Sequence, residues 1–113
     1  MSISYEEFEQ VDIRVGRVVE VTSYEGGTYS THIIKIDFGE EIGVKKSLAR
    51  LEPNYGGHED ELVGKQVLAV VNFEPKQIGT QMSEVLTLGF PDENGEAVLV
   101  HPGKEVPLGG KFF

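Results

Sequence analysis

Short segments in which apolar and polar residues alternate, separated by turns rich in glycine and proline, most constrain the fold of this chain. Residues 34–38 carry apolar side chains at every second position with charged residues between them, which is typical of a half-buried strand. Residues 67–73 are largely apolar on both faces and rich in β-branched side chains, which predicts a central, well-covered strand. The chain is therefore predicted to be an all-β protein.

Helical signals are confined to two short places. Ser4 and Glu7 fit a capping box, which predicts a short helix over about residues 4–10. Residues 59–62 allow only a single helical turn before a glycine. Residues 74–80 contain a proline and a glycine and are predicted to form a loop.

The alternation and the turn signals together predict six short strands and no internal repeat. The predicted strands cover about residues 13–21, 34–38, 42–48, 67–73, 85–88 and 97–100, the last two joined by an Asn94-Gly95 turn. This number of short strands in 113 residues predicts one closed β-barrel domain spanning residues 1–113. An OB-like barrel is the first interpretation, and an SH3-like barrel is the alternative.

Several classes of protein are excluded by what the chain lacks. It contains no cysteine, which excludes disulfides, zinc ribbons, thiolate chemistry and iron–sulfur clusters. The longest unbroken apolar run, Val67–Val71, has five residues and is too short to cross a bilayer. Glu6, Glu7 and Glu9 stand where a secretory signal would carry cations and an apolar segment. We therefore expect a cytoplasmic protein without membrane insertion.

The polar residues show no catalytic or metal-binding pattern. His32, His58 and His101 are isolated in the sequence, without the spacings that bind metal ions. Gly26 and Gly27 lack the strand–glycine–helix setting of a phosphate loop, and the chain contains no nucleophile elbow. The sequence predicts no enzymatic activity, no metal and no cofactor.

The net charge of −9 is unevenly distributed along the chain. Eleven of the nineteen acids lie in residues 1–12, 52–61 and 92–96, so the rest of the chain carries a small positive excess. Lys45 and Lys46 stand in a stretch without any acid. Because electrostatic attraction acts over a Debye length of about 8 Å, a basic patch on an acidic body can bind nucleic acid. The alternative is that these cations form an ordinary solvated surface.

Five motifs along the chain resemble one known family. They are Asp12–Gly16, Ile36–Gly39, Ile42–Lys45, Val70–Lys76 and Ser83–Gly89. In this order and at these separations they resemble the tRNA-binding-domain family of OB-folds. Within that family they are most similar to the stand-alone CsaA-type proteins, which are described as export-related chaperones. The resemblance covers about residues 6 to 111.

This resemblance implies a five-stranded OB barrel with a short N-terminal helix and extra terminal strand and tail elements. It also implies a homodimer without enzymatic activity or metal. The positions that match nucleic-acid-binding residues of the family are Arg14, Lys45, Ser47, Lys76 and Ser83. The charge pattern adds Lys46, and we expect Arg14, Lys45 and Lys76 to gather on one face of the barrel.

Two departures from the family pattern lower the expected affinity for tRNA. Val85 and Leu86 stand where synthetase-attached modules usually carry a Gly-Met pair after the serine. Gln77 stands where a second cation is common. The first departure is shared with the chaperone-like subgroup.

Large apolar residues at strand ends and in loops suggest a second kind of binding. Phe73, Ile78 and Met82 are the candidates for a cleft that accepts an extended segment of an unfolded chain. The alternative is that Ile78 and Met82 plug the end of the barrel.

The sequence thus predicts a chaperone similar to CsaA-type proteins that binds unfolded or pre-export polypeptides and retains tRNA binding. One alternative is a structure-specific tRNA-binding protein that acts in translation. Another is a module that only dimerises and docks on a second protein.

Overall fold

A computed structural model describes residues 1–113 and contains one short α-helix and nine strands. The elements in chain order are α1 (Tyr5–Glu9), β1 (Ile13–Ser23), β2 (His32–Asp37), β3 (Val44–Ala49), a 3-10 turn (Glu59–Glu61), β4 (Gln66–Val70), β5 (Lys76–Ile78), β6 (Gln81–Ser83), β7 (Leu86–Thr87), β8 (Gly89–Pro91) and β9 (Ala97–Leu99). Five strands form one antiparallel sheet in the order β3-β2-β1-β4-β7. No helix has the length and apolarity that a membrane crossing requires.

The sheet curls until its two outer strands, β3 and β7, approach each other. Main-chain N–H groups of Glu84 and Val85, just before β7, donate to the carbonyl of Lys46 on β3 at 2.8 and 3.3 Å. The N–H of Leu48 donates to Ser83 Oγ at 3.0 Å. These bonds join the two edges at one end and curl the sheet into a half-barrel. The predicted five-stranded OB barrel is confirmed.

The core lies inside the curled sheet and is formed by its inward-facing residues. Its fully buried members include Val18, Ile34, Ile36, Phe38, Leu51, Leu62, Val67 and Ala69. Phe38 is 1% exposed, which agrees with its parity in the predicted strand. Gly16 faces the same interior, where a Cβ would stand 2.8 Å from the ring of Phe38 and closer still to Ile36.

Replacing Gly16 with alanine is expected to lower the free energy of unfolding by about 1–3 kcal/mol, because the added methyl group overpacks the core. Thermal denaturation of the variant measures this loss. Gly103→Ala is the control, since a Cβ at Gly103 meets no atom within 4 Å. Equal midpoints for the two variants would contradict this account of the core.

The helix and the C-terminal tail form the predicted terminal elements. Ser4 caps α1, and the reciprocal bonds with Glu7 confirm the capping box. Residues 109–112 form main-chain hydrogen bonds with the edge of β1 that β2 leaves free, at Ile13 and Val15. Phe8 of α1 packs edge-on against Phe112, with ring centroids 6.3 Å apart. Helix and tail thus extend the barrel at one side.

The prediction of a loop over residues 74–80 was wrong: residues 76–78 and 81–83 form a hairpin, and the chain has nine strands where six were predicted. Strands β5 and β6 pair antiparallel around a two-residue turn at Gly79 and Thr80. Gly79 adopts a φ of +63°, the left-handed conformation that tight hairpin turns require. Pro75 signals a break but stands just before β5, where it does not interrupt the pairing. The predicted turn at Asn94-Gly95 is confirmed, but the strand before it is β8 and not the predicted 85–88 strand, since Leu86 and Thr87 pair with β4.

Candidate functional site

The seam between β3 and β7 is closed at one end and opens toward the other. At Lys46 it is joined by main-chain hydrogen bonds. One residue further along β3, Ser47 Oγ accepts hydrogen bonds from the main-chain N–H and the hydroxyl of Thr87 at 3.3 and 2.7 Å. Here a side-chain oxygen takes the place of a main-chain acceptor. Beyond Leu48 the two edges separate, and apolar cavities flank the opening.

The first cavity, which we call the hairpin pocket, lies between β3 and the β5–β6 hairpin. It has a volume of about 420 Å³ and is lined chiefly by Leu48, Phe73, Lys76, Ile78 and Leu86. Phe73 is 55% exposed although it is a large aromatic residue, because β4 ends at Val70 and leaves it outside the sheet. Glu74 and Glu84 also line the pocket and make it acidic as well as apolar.

The second cavity, which we call the seam pocket, lies on the other side of Leu48 and Leu86. It has a volume of about 370 Å³, and its lining includes Tyr29, Arg50 and Phe90 as well as these two leucines. The side chain of Phe90 is 69% exposed, and the Arg50 guanidinium stacks over the Tyr29 ring at 5.2 Å. The two pockets adjoin at Leu48 and Leu86, which line both, and together we call them the seam groove.

Of the predicted basic residues, Arg14 and Lys45 lie at the same end of the barrel, where β1 and β3 both begin. The register places Arg14 opposite Ala69 and Lys45 opposite Ile36, so both are on the inward-facing side of the sheet. Arg14 is held by internal partners. Its Nε lies 2.6 Å from Asp12 Oδ1, and its Nη1 donates to the carbonyl of Gly109 at 2.9 Å.

The hydrogen bond with Asp12 raises the pKa of Arg14, and the charge of Glu41 acts in the same direction. The other two arginines are paired as well. Arg17 lies 2.9 Å from Glu105, and Arg50 lies 3.6 Å from Glu96. The cations without an acidic partner are therefore all lysines.

The three predicted lysines lie beside the seam but do not share one face. Lys45 and Lys46 lie on opposite faces of β3 at the closed end, and Lys76 lies in the hairpin pocket. Lys45 makes no ion pair, and Lys76 is an exposed residue of the hairpin pocket without one. Lys46 is half-buried on the outer face of β3 and donates to Gln81 Oε1 at 2.9 Å. Lys76 pairs with Ser83, which is itself bonded to Leu48 of β3. These lysines can meet an anion without first breaking an ion pair.

The two predicted serines have structural roles in this arrangement. Ser47 is 1% exposed, and its hydroxyl is occupied by Thr87. Ser83 Oγ accepts from the N–H of Leu48 and donates to the carbonyl of Val85 at 3.3 Å. Ser47 thus joins β3 to β7, and Ser83 joins β6 to β3.

The three predicted apolar residues do not all face the same way. Phe73 and Ile78 line the hairpin pocket. Met82 is 40% exposed and pairs with Gln77, so it lies on the opposite face of the hairpin from Ile78. Ile78 therefore borders an open cavity, and the core cluster of the barrel contains neither Ile78 nor Met82.

His32 is a buried histidine with a complete set of partners. Thr31 Oγ1 accepts from the N–H groups of Leu51 and Glu52, so its own hydroxyl donates to His32 Nδ1 at 2.8 Å. Nε2 consequently carries the proton and donates to Glu59 Oε2 at 2.8 Å. This chain of bonds joins β2 to the 3-10 turn. His58 and His101 lie elsewhere, and no group of three or more histidine and acidic side chains is arranged to hold a metal.

Replacing Glu59 with alanine is expected to lower the melting temperature by several degrees, because the N–H of His32 is left unpaired in the core. Glu59→Gln keeps an acceptor there and should lose less. The hydrogen bond from His32 lowers the pKa of Glu59, so the stability it contributes is present above the ordinary carboxyl pKa. That contribution is lost as the pH falls through the lowered value. Melting curves across the acidic range that are identical for wild type and Glu59→Gln would contradict this.

The barrel and the motifs that build it define the class of the protein. Residues 13–111 match the model of a putative tRNA binding domain, so the chain belongs to the tRNA-binding-domain family.

Individual relatives and solved structures add detail. The chain is 36% identical to the chaperone CsaA of Bacillus anthracis, with a TM-score of 0.90 and all of both chains covered. It is 39% identical to the CsaA chaperone protein of Picrophilus torridus, with a TM-score of 0.88, over 99% of this chain and 100% of that one. It is also 34% identical, over 96% of its length, to a methionine–tRNA ligase of Pyrococcus furiosus, but spans only 14% of that enzyme.

Sequence reasoning missed the seam pocket. Leu86 falls in the predicted strand over residues 85–88, and neither Phe90 nor Arg50 is among the predicted site residues. The one available signal was the pair of large apolar residues Leu86 and Phe90 shortly before the turn at Asn94-Gly95. Their convergence depends on where β3 and β7 separate, which is a tertiary property.

Proposed function

We propose that this protein is a non-enzymatic cytoplasmic chaperone similar to CsaA, which binds unfolded or pre-export polypeptides in the seam groove and also binds tRNA. The observation that carries the proposal is the groove itself. Two apolar cavities meet at Leu48 and Leu86, and exposed aromatic residues stand at their rims. Exposed apolar surface of this kind typically marks an interaction site.

The charge of the groove favours a particular kind of polypeptide. Glu74 and Glu84 line the hairpin pocket, and Glu96 lies beside Arg50 at the seam pocket. The protein as a whole carries a net charge of −9. A client with alternating apolar and basic residues therefore suits both the cavities and the field around them. Pre-export segments with basic ends have this chemistry.

Binding of tRNA is supported by the family and by the unpaired lysines. Lys45 and Lys46 stand on β3 at the closed end of the seam, Lys76 stands in the hairpin pocket beside it, and none has an acidic partner. Three neutralised phosphates correspond to a salt slope of about −3, which is modest binding. Arg14 is already paired with Asp12 and adds little to this count.

The proposal includes a homodimer. An apolar pocket of about 540 Å³ remains open on the outer face of β1 and β4, lined by Val15, Leu68, Val106 and Phe112 among others. Phe113 at its border is fully exposed. A second copy of the chain would cover this surface, since isologous pairing places the same patch on both partners. Sedimentation showing only monomer at micromolar concentration would contradict this part.

Light scattering from an aggregating unfolded protein tests the chaperone function. Filter binding of total tRNA at low salt tests the proposed binding of tRNA. We expect the wild type to suppress aggregation and to retain tRNA. Retention of tRNA without any effect on aggregation would favour the alternative of a tRNA-binding protein that acts in translation. Suppression without retention would restrict the function to polypeptides.

A further inference from the structure

The edge of β3 that faces the seam carries main-chain groups without partners in the chain. Lys46 and Leu48 turn their N–H groups toward residues 83–85, so the carbonyl of Leu48 faces the same side. No donor in the chain reaches that carbonyl. Just past the end of β3 at Ala49, the N–H of Arg50 also has no hydrogen-bond partner. This edge is open where the seam groove begins.

Open strand edges bind extended polypeptides, because the missing partner of the edge is another strand. The carbonyl of Leu48 and the N–H of Arg50 are spaced as one acceptor and one donor for an added strand. The side chains of such a strand would alternate, and those on one face would enter the two pockets that share Leu48 and Leu86.

RNA fits these groups less well. A nucleic acid strand needs unpaired cations along the whole groove. Arg50, the only cation of the seam pocket, is paired with Glu96, and Lys76, the only cation of the hairpin pocket, shares that pocket with Glu74 and Glu84. The other unpaired lysines of the proposed tRNA surface, Lys45 and Lys46, stand at the closed end of the seam instead. The open edge therefore matches the main chain of a polypeptide, and the apolar pockets match its side chains.

We propose that the client polypeptide binds as an extended strand added to β3 at Leu48 and Arg50, with alternate side chains in the hairpin and seam pockets. This inference rests on the proposed polypeptide-binding function and specifies how the groove selects its ligand. The main chain supplies hydrogen bonds common to all sequences, and the pockets prefer an apolar residue at every second position. A chaperone needs this combination, because its clients share a backbone and not a sequence.

The variant Arg50→Pro tests the proposal, with Arg50→Ala as its matched control. Both remove the guanidinium, but only proline removes the N–H, and that N–H has no partner in the unliganded protein. The probe is a fluorescent peptide of about ten residues in which leucine or valine alternates with lysine. We expect Arg50→Pro to bind it about tenfold more weakly than Arg50→Ala, since one main-chain hydrogen bond is lost.

A second measurement does not depend on how the proline variant folds. Hydrogen exchange of the Arg50 amide in the wild type should slow when the peptide is bound, because strand addition gives this amide an acceptor. Equal affinities of the two variants, or an Arg50 amide that exchanges at the same rate with and without peptide, would overturn strand addition. In that case peptide binding by the wild type would still support the proposed function.

Two further outcomes would assign the edge to another occupant. Loss of tRNA retention in Arg50→Pro alone, with peptide affinity unchanged, would assign it to RNA. Loss of dimerisation in the same variant, again with peptide affinity unchanged, would assign it to a second copy of the chain. Both would overturn the proposal. A wild type that does not bind the peptide at all would contradict the proposed function itself.

Discussion

Reversing the charge of Lys45 and Lys76 together is expected to abolish the retention of tRNA, with a loss of affinity on the order of a hundredfold at low salt. Neither lysine has an acidic partner that the change would leave unpaired. The double variant Lys45→Glu with Lys76→Glu removes two cations from beside the seam and adds two repulsive charges there. Filter binding across a salt series measures the effect.

A control variant with the same change in net charge shows whether tRNA binding depends on these two lysines or only on the net charge of the protein. Lys65 and Lys104 are also unpaired. They line a polar concavity at the start of β4, away from the seam. Lys65→Glu with Lys104→Glu should reduce retention of tRNA far less. If the two double variants lose tRNA equally, the lysines at the seam form no particular surface and the net charge alone governs binding.

Replacing Phe73 with aspartate is expected to weaken the binding of an unfolded polypeptide by between about tenfold and a hundredfold. Phe73 is 55% exposed at the rim of the hairpin pocket, so the change removes an apolar contact of the groove without opening the core. Burying an aromatic side chain contributes about 1.5–3 kcal/mol, which corresponds to this range. Fluorescence anisotropy of a labelled client measures the change, and loss of aggregation suppression should accompany it.

Two other exposed apolar residues serve as controls for Phe73. Val63 is 45% exposed and lies outside both pockets, so Val63→Asp should leave client binding unchanged. Met82 lies on the far face of the hairpin, and Met82→Asp should have a smaller effect than Phe73→Asp. Equal losses in all three variants would indicate a general effect of added negative charge and would contradict a defined groove.

The sequence predicted those features of the fold that depend on local patterns. Alternation at residues 34–38 located β2, and the capping box at Ser4 located α1. The β5–β6 hairpin was missed because Pro75 dominates the local signal, whereas the pairing depends on the φ of Gly79 and on Tyr24. The hydroxyl of Tyr24 donates to the carbonyl of Ile78 at 2.8 Å, a contact 54 residues apart in the chain.

The candidate site was less predictable, because a residue type does not reveal whether its side chain is already occupied. Arg14 and Lys45 have similar charges in the sequence, yet Arg14 is bonded to Asp12 and to the tail, and Lys45 is free. Ser47 matches a binding position of the family but is buried against Thr87. Pairing and burial are set by register and closure of the barrel, which composition and spacing do not contain.

Mapping the contact surface in solution tests the central claim most directly. A titration of the isotope-labelled protein with the alternating leucine–lysine peptide, followed by nuclear magnetic resonance, reports every amide that the ligand affects. We predict shifts at Leu48, Ile78 and Leu86, the residues that line the seam groove, and none at Val15 or Leu68 on the outer face of the barrel. Shifts confined to Val15 and Leu68, with the groove residues unchanged, would contradict the account.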